Sequence, residues 1–176
     1  MSSMRRLFLV GALAAASALS PVPVSAAAAP GTIACTGGEV TLLFNPAMSM
    51  TSTTHWMQLT GPVGHCASPE YPSISAGVLR AHGGFTGACP GPMAPADLAM
   101  SIHWNDGSVS EVGGARFHGD LTGWVLLPGT ITSGPFTGDR IAAVALSGGL
   151  PTPPTLPCVI GGLNQLHTKL QAFAIA

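Results

Sequence analysis

Apolar and polar residues alternate along most of this chain with the two-residue period of a half-buried strand. Val40, Leu42 and Phe44 alternate with Thr41 and Leu43, which predicts a first strand stopped by Asn45-Pro46. A second is expected from His55 to Thr60, closed by Gly61-Pro62, and a third from Ile74 to Ala81, running on through Gly83-Gly84 toward Cys89. A loop rich in Pro and Gly, Pro90 to Pro95, then leads into Leu98–Trp104. Asn105-Asp106-Gly107 is the strongest local signal, because Asp-Gly accepts the positive backbone angles of a tight hairpin turn. Read as a two-residue turn, it sets Trp104 opposite Val109 and His103 opposite Ser110. Leu121–Leu127, Gly129–Ser133 and Asp139–Leu146 supply two or three more strands, and the Pro-rich run Pro151–Pro157 crosses over to Cys158.

The tail fits two periods. Leu163, Leu166, Leu170 and Phe173 make a helical stripe, whereas Leu166, Thr168, Leu170 and Ala172 make one face of a strand. It is read as a strand, since it follows Gly161-Gly162 in a chain that is otherwise β. Apolar-Thr-Gly recurs at Leu59-Thr60-Gly61, Phe85-Thr86-Gly87, Leu121-Thr122-Gly123 and Phe136-Thr137-Gly138. The unequal spacing excludes a solenoid or propeller, and the triplets read as punctuation at strand ends.

The first residues break this pattern. Arg5 and Arg6 precede an apolar stretch from Leu7 to Leu19, then Pro21, Pro23 and Val24-Ser25-Ala26. A basic region, an apolar region and a small-residue cleavage site in this order predict a signal peptide over residues 1–26. The general secretory route is preferred to the twin-arginine one, because Met4 and Val10 depart from the twin-arginine pattern. The apolar stretch is shorter than the ~20 residues of a membrane span. A single secreted domain over residues 27–176 is expected, extracellular or associated with the cell wall, with no stable membrane insertion after cleavage.

That domain holds four basic residues, Arg80, Arg116, Arg140 and Lys169, against seven acids, a net charge of −3 with neutral histidines. It has no electrostatic footprint for nucleic acid. Few charges, abundant apolar residues and plentiful Gly, Thr, Ser and Pro fit a turn-rich β protein with hydroxylated outer faces. Cys35, Cys66, Cys89 and Cys158 are an even set in an exported chain, so two disulfides are expected. Three pairings are open; Cys35–Cys89 with Cys66–Cys158 is preferred. No two cysteines have the close spacing of a zinc site.

Four stretches carry a resemblance: Cys35-Thr36-Gly37 before a strand ending in Pro46; Trp104-Asn105-Asp106-Gly107-Ser108-Val109-Ser110; Thr132-Ser133-Gly134-Pro135-Phe136-Thr137-Gly138-Asp139; and Pro157-Cys158-Val159-Ile160-Gly161-Gly162-Leu163. In these the chain resembles small Thr/Gly-rich exported proteins of high-GC actinobacteria. The resemblance implies a β-sandwich and a strand for the tail, and it brings no catalytic residues.

Candidate chemistry is thin. His55, His65, His82, His103, His118 and His167 show no metal-favouring spacing, although in a sandwich His55, His82 and His103 would share an exposed face. Asp106 is claimed by the hairpin turn, and Asp120 and Asp139 sit beside glycines in expected turns. For the acids Glu39, Glu70, Asp97 and Glu111 turn or surface roles are favoured over the paired carboxylates of a glycosidase, and no G-x-S-x-G elbow is present. Trp56, Trp104 and Trp124 are the candidate ligand-stacking residues if exposed, with core the stronger reading for Trp104 and Trp124.

The sequence therefore predicts an all-β antiparallel sandwich of about seven to nine strands, without a cofactor or metal. The expected function is non-enzymatic, structural or interactive. An extracellular binding module for a cell-wall glycan or small ligand is the second reading, and a secreted hydrolase the third.

Overall fold

The structure is a computed structural model that describes residues 33–148 and 155–176, so the expected signal peptide and Pro151–Pro154 lie outside the described residues. Ten strands and one short helix are seen among them. In chain order these are β1 (Ile33–Cys35), β2 (Glu39–Met48), β3 (Thr53–Val63), β4 (Cys66–Ala67), β5 (Gly77–Gly87), β6 (Met93–Trp104), β7 (Val109–Gly119), β8 (Gly123–Ser133), β9 (Arg140–Ser147), α1 (Thr155–Val159) and β10 (Leu163–Ile175). The class is all-β and antiparallel, as expected. The architecture is not a sandwich.

Eight strands, β2, β3, β5, β6, β7, β8, β9 and β10, pair each with the next, and β10 pairs back onto β2 to close a barrel. The closing ladder joins Leu42 to Leu166 and Val40 to Thr168. Period-two alternation puts apolar side chains on one face in either architecture, so the pattern alone does not separate the two. β1 and β4 extend the barrel wall: β1 continues the line of β2 along β10, pairing Ile33 with Ile175, and β4 pairs with β1. Between β1 and β2 the chain kinks at Gly37 and Gly38, both at positive φ. A Cβ on Gly38 would meet the carbonyl oxygen of Pro62 at 2.2 Å, so only glycine fits there.

Pro46, read as a strand stop, Pro95, read as part of a loop, and Pro128, between two expected strands, all lie within strands. Pro46 lies where the β2–β10 register shifts between Gln165 and Leu163, Pro95 between Met93 and Ala96, and Pro128 between Leu126 and Gly129. Each occupies a bulge, where a missing N–H removes no ladder bond and the extra bend helps the wall curve. Leu121–Leu127 and Gly129–Ser133 therefore belong largely to the single strand β8, with Leu121 and Thr122 in the preceding turn. Part of the Pro-rich crossing is helical, as α1. The tail is a strand.

The Asn105-Asp106-Gly107 hairpin forms, with a register one residue from the expected one. The N–H of Gly107 donates to Trp104 O at 3.1 Å and that of Trp104 to Ser108 O at 2.9 Å, and Gly107 has φ of 88°. This is a three-residue loop, in which His103 faces Val109 and Ile102 faces Ser110. The slip matters because it turns Ser110 into the barrel.

Side chains fill the interior. Phe117, Phe173, Ile33, Leu42, Met48, Met57, Leu59 and Ile102 are among its fully buried members. Eight strands enclose a space that side chains can fill, and here they do. Most apolar groups point inward, while Gln, Arg and, His55 and Thr168 apart, most His and Thr point outward, the reverse of a lipid-facing barrel. No helix among the described residues is long and apolar enough to cross a membrane.

Two buried tryptophans are tied by matching relays. Trp104 donates from Nε1 to Ser110 Oγ at 2.9 Å, and that hydroxyl donates to Pro135 O at 2.8 Å. Trp124 donates to Thr168 Oγ1 at 3.0 Å, which donates to Val40 O at 3.2 Å. Each hydroxyl lets an indole N–H be buried without losing its partner. Ser110→Ala leaves the Trp104 N–H without its acceptor and is expected to cost about 1–3 kcal/mol in chemical denaturation. A loss within a few tenths of zero would show that the relay does not hold this end of the barrel.

Two turns at opposite ends use one device. Asp106 accepts from the N–H and hydroxyl of Ser108, and Asp120 accepts from the N–H of Thr122 at 2.7 Å and from its hydroxyl. Hydrogen bonds from the Thr122 side chain and backbone hold the Asp120 carboxyl below its ordinary value, and the Ser108 hydroxyl does the same first of all for Asp106. Since the folded pKa is depressed, the stabilisation is complete above the ordinary carboxylate range and is lost as pH falls through the folded value. Asp120→Asn is expected to destabilise by under ~1 kcal/mol at neutral pH, the charge being largely solvated, and to flatten the stability profile below about pH 4. Melting curves of both proteins across the acid range check this.

The four cysteines form Cys35–Cys66 and Cys89–Cys158, with none free among the described residues. Two disulfides are present as expected, but the preferred pairing is corrected. Cys35 and Cys66 face each other in the β1–β4 ladder, at the end of the barrel that carries the hairpin. Cys89 follows β5 at the opposite end, where the Cys158 bridge ties α1.

Candidate functional site

With the interior packed, the exposed chemistry is on the wall. Outward positions on β3 include Trp56, Gln58 and Thr60, two residues apart as a strand requires. The ladder sets them opposite Gly84, His82 and Arg80 of β5, and opposite Asn45, Leu43 and Thr41 of β2. Trp56, Gln58, Thr60, Arg80 and His82 line a shallow open depression with the edges of Leu59 and Ala81 at its floor. Trp56 is 47% exposed, and its ring lies 5.5 Å from that of His82 at 36°.

The other sequence candidates disperse. Trp104 and Trp124 are 4% and 2% exposed, which removes both as stacking platforms. His55 does not share a face with His82 and His103. It points inward at 1% exposure, with Nδ1 2.8 Å from Pro46 O, Nε2 3.0 Å from Thr53 Oγ1 and its ring stacked on Phe85. Inward direction follows from its odd position on β3, in phase with Met57 and Leu59. His167 bonds Thr41 and Gln165 on the outer face of β10. No three His, Cys, Asp or Glu side chains converge as a metal site among the described residues. Arg116 pairs with Asp97 at 3.1 Å on the surface.

Two further features lie elsewhere on the wall. Shallow hollows flank His118 near the α1 end, and Val125, Leu127, Val144 and Leu146 leave an apolar strip on β8 and β9. Val125 faces Val144 across the ladder.

Of the depression, sequence reading picked out Trp56 and, among the histidines, His82. Gln58 and Thr60 were available from the same alternation, two and four residues on. Arg80 was not, because its place beside Thr60 depends on the β3–β5 register. Compared with family models, with curated proteins and with solved structures, the chain finds no match in any of the three.

Proposed function

We propose that the protein is an exported, non-enzymatic interaction protein that recognises its ligand with the outer wall of the barrel. The observation that carries this reading is the division of labour between its two surfaces. Leu, Met, Phe and two tryptophans fill the inside, while the third tryptophan stands outside among Gln58, Thr60, Arg80 and His82. A disulfide at each end suits a rigid scaffold in an oxidising compartment, which supports the expectation of export.

The test is amide shift mapping of the oxidised protein titrated with solubilised cell-envelope material. Saturable changes confined to the outward positions of β2, β3 and β5, with the ligand recovered chemically unchanged, are expected. Changes at inward positions, or cleavage of the added material, would sink the reading.

A further inference from the structure

We infer that the depression between Trp56 and Arg80 binds an acidic glycan, a carbohydrate chain whose rings bear carboxylates. The inference rests on the wall being the binding surface and adds the chemical class of ligand. It starts from the three tryptophans. Trp104 and Trp124 are buried and donate their N–H groups to Ser110 and Thr168, whereas Trp56 is exposed and makes no hydrogen bond among the described residues. An indole bared in this way offers a flat apolar face and a donor at its edge. The apolar face of a sugar ring matches the first, and its hydroxyls match the second.

Polar groups of the right kind run on from the indole. The Gln58 amide and Thr60 hydroxyl follow it along β3, and the His82 ring stands opposite Gln58. From Trp56 to Thr60 the strand rises about 13 Å, room for more than one ring.

Arg80 decides the charge. Arg116 is neutralised by Asp97, but Arg80 has no ion pair among the described residues. Its cross-strand neighbours are Thr60 and Ser101, both neutral, and the nearest carboxylate by register, Glu111, lies one strand further, opposite Ser101. The guanidinium is thus an unpaired planar donor fork, the group suited to a carboxylate, on a protein of net negative charge. A neutral sugar would use only the stacking half of this surface; a uronate-type ring uses both.

The test uses the full oxidised protein with an oligogalacturonate and with its methyl ester, which keeps the rings and removes the charge. Calorimetry gives affinity, and acrylamide quenching reports the exposed indole, since the other two are buried. The acid is expected to bind, to shield Trp56 from quenching and to weaken with added salt. Arg80→Gln should weaken it about tenfold at unchanged melting temperature, and Trp56→Ala should abolish it, with Trp56→Phe recovering part. Equal affinity for the ester, or binding that survives both Arg80→Gln and Trp56→Ala, overturns the acidic glycan and leaves the wall reading standing. So does a protein ligand that maps to β3 and β5 where the glycan does not bind. A ligand that maps to the barrel interior overturns both.

Discussion

Trp124→Ala is expected to remove about 3–5 kcal/mol of stability, the loss typical of emptying a buried aromatic site. The side chain is 2% exposed, packs with its ring 5.7 Å from that of Phe117, and reaches past β9 to Thr168 on β10. Alanine would leave a cavity under β7, β8 and β10 together, and these closed strands have little freedom to collapse into it. Trp124→Phe separates the two contributions. It restores much of the volume but not the donor to Thr168, whose hydroxyl keeps its bond to Val40 O, so about 1 kcal/mol should remain lost. Urea denaturation measures both. Trp56→Ala serves as the contrast, expected to cost under ~1 kcal/mol for a half-exposed outer side chain. If the two alanine variants lose equally, the barrel does not depend on its filled interior in the way described.

The second large effect concerns the bridges, which differ in what else holds their ends. Cys89 and Cys158 are 69 residues apart, and Cys35 and Cys66 are 31 apart. Chain entropy alone gives about 4 kcal/mol for the longer loop and about 3.5 kcal/mol for the shorter. The structure widens this gap. The Cys35–Cys66 bridge joins residues already paired in a ladder. At the other end, Leu156 and Val159 of α1 and Ile160 just after it are exposed, and of the helix's residues with described side chains only Cys158 is buried. Removing Cys89–Cys158 by a double alanine substitution should therefore lower the denaturation midpoint more than removing Cys35–Cys66. It should also render α1 sensitive to limited proteolysis while the barrel stays intact. Equal midpoint losses, or an α1 that stays resistant, would contradict this account.

Much of the wall was legible in the sequence, for identifiable reasons. Val40, Leu42 and Phe44 all point inward, and in the tail Leu166, Thr168 and Leu170 share the buried face of a strand, whereas Ala172, expected on the same face, is exposed because the register shift after Leu170 resets the alternation and turns Phe173 inward. Closure was not legible, because it depends on Leu42 meeting Leu166 across most of the chain, and alternation within a segment carries no record of its distant partner. Pro46, Pro95 and Pro128 misled for a related reason. A proline that ends a strand and one that bends it share the same local chemistry, and only the neighbouring strand shows that the ladder resumes. The Asp106-Gly107 turn was found, but its loop length set the register, and one residue decided whether Ser110 faced His103 outside or served Trp104 inside. The candidate site followed the same rule. Trp56, Gln58 and Thr60 lie on one strand and could be read together, whereas Arg80 joins them only through pairing.

The β2–β10 seam has a consequence for how the chain reaches this state. Its partners, Glu39–Met48 and Leu163–Ile175, lie far apart along the chain, so the seam cannot form until both segments are available. Until then β2 and β9 each present an open row of amide and carbonyl groups, able to recruit a strand from a neighbouring molecule. A polypeptide that lacks β10 would keep both rims permanently exposed. Pairing of β10 with both β2 and β9 thus converts an adhesive sheet into a closed cylinder.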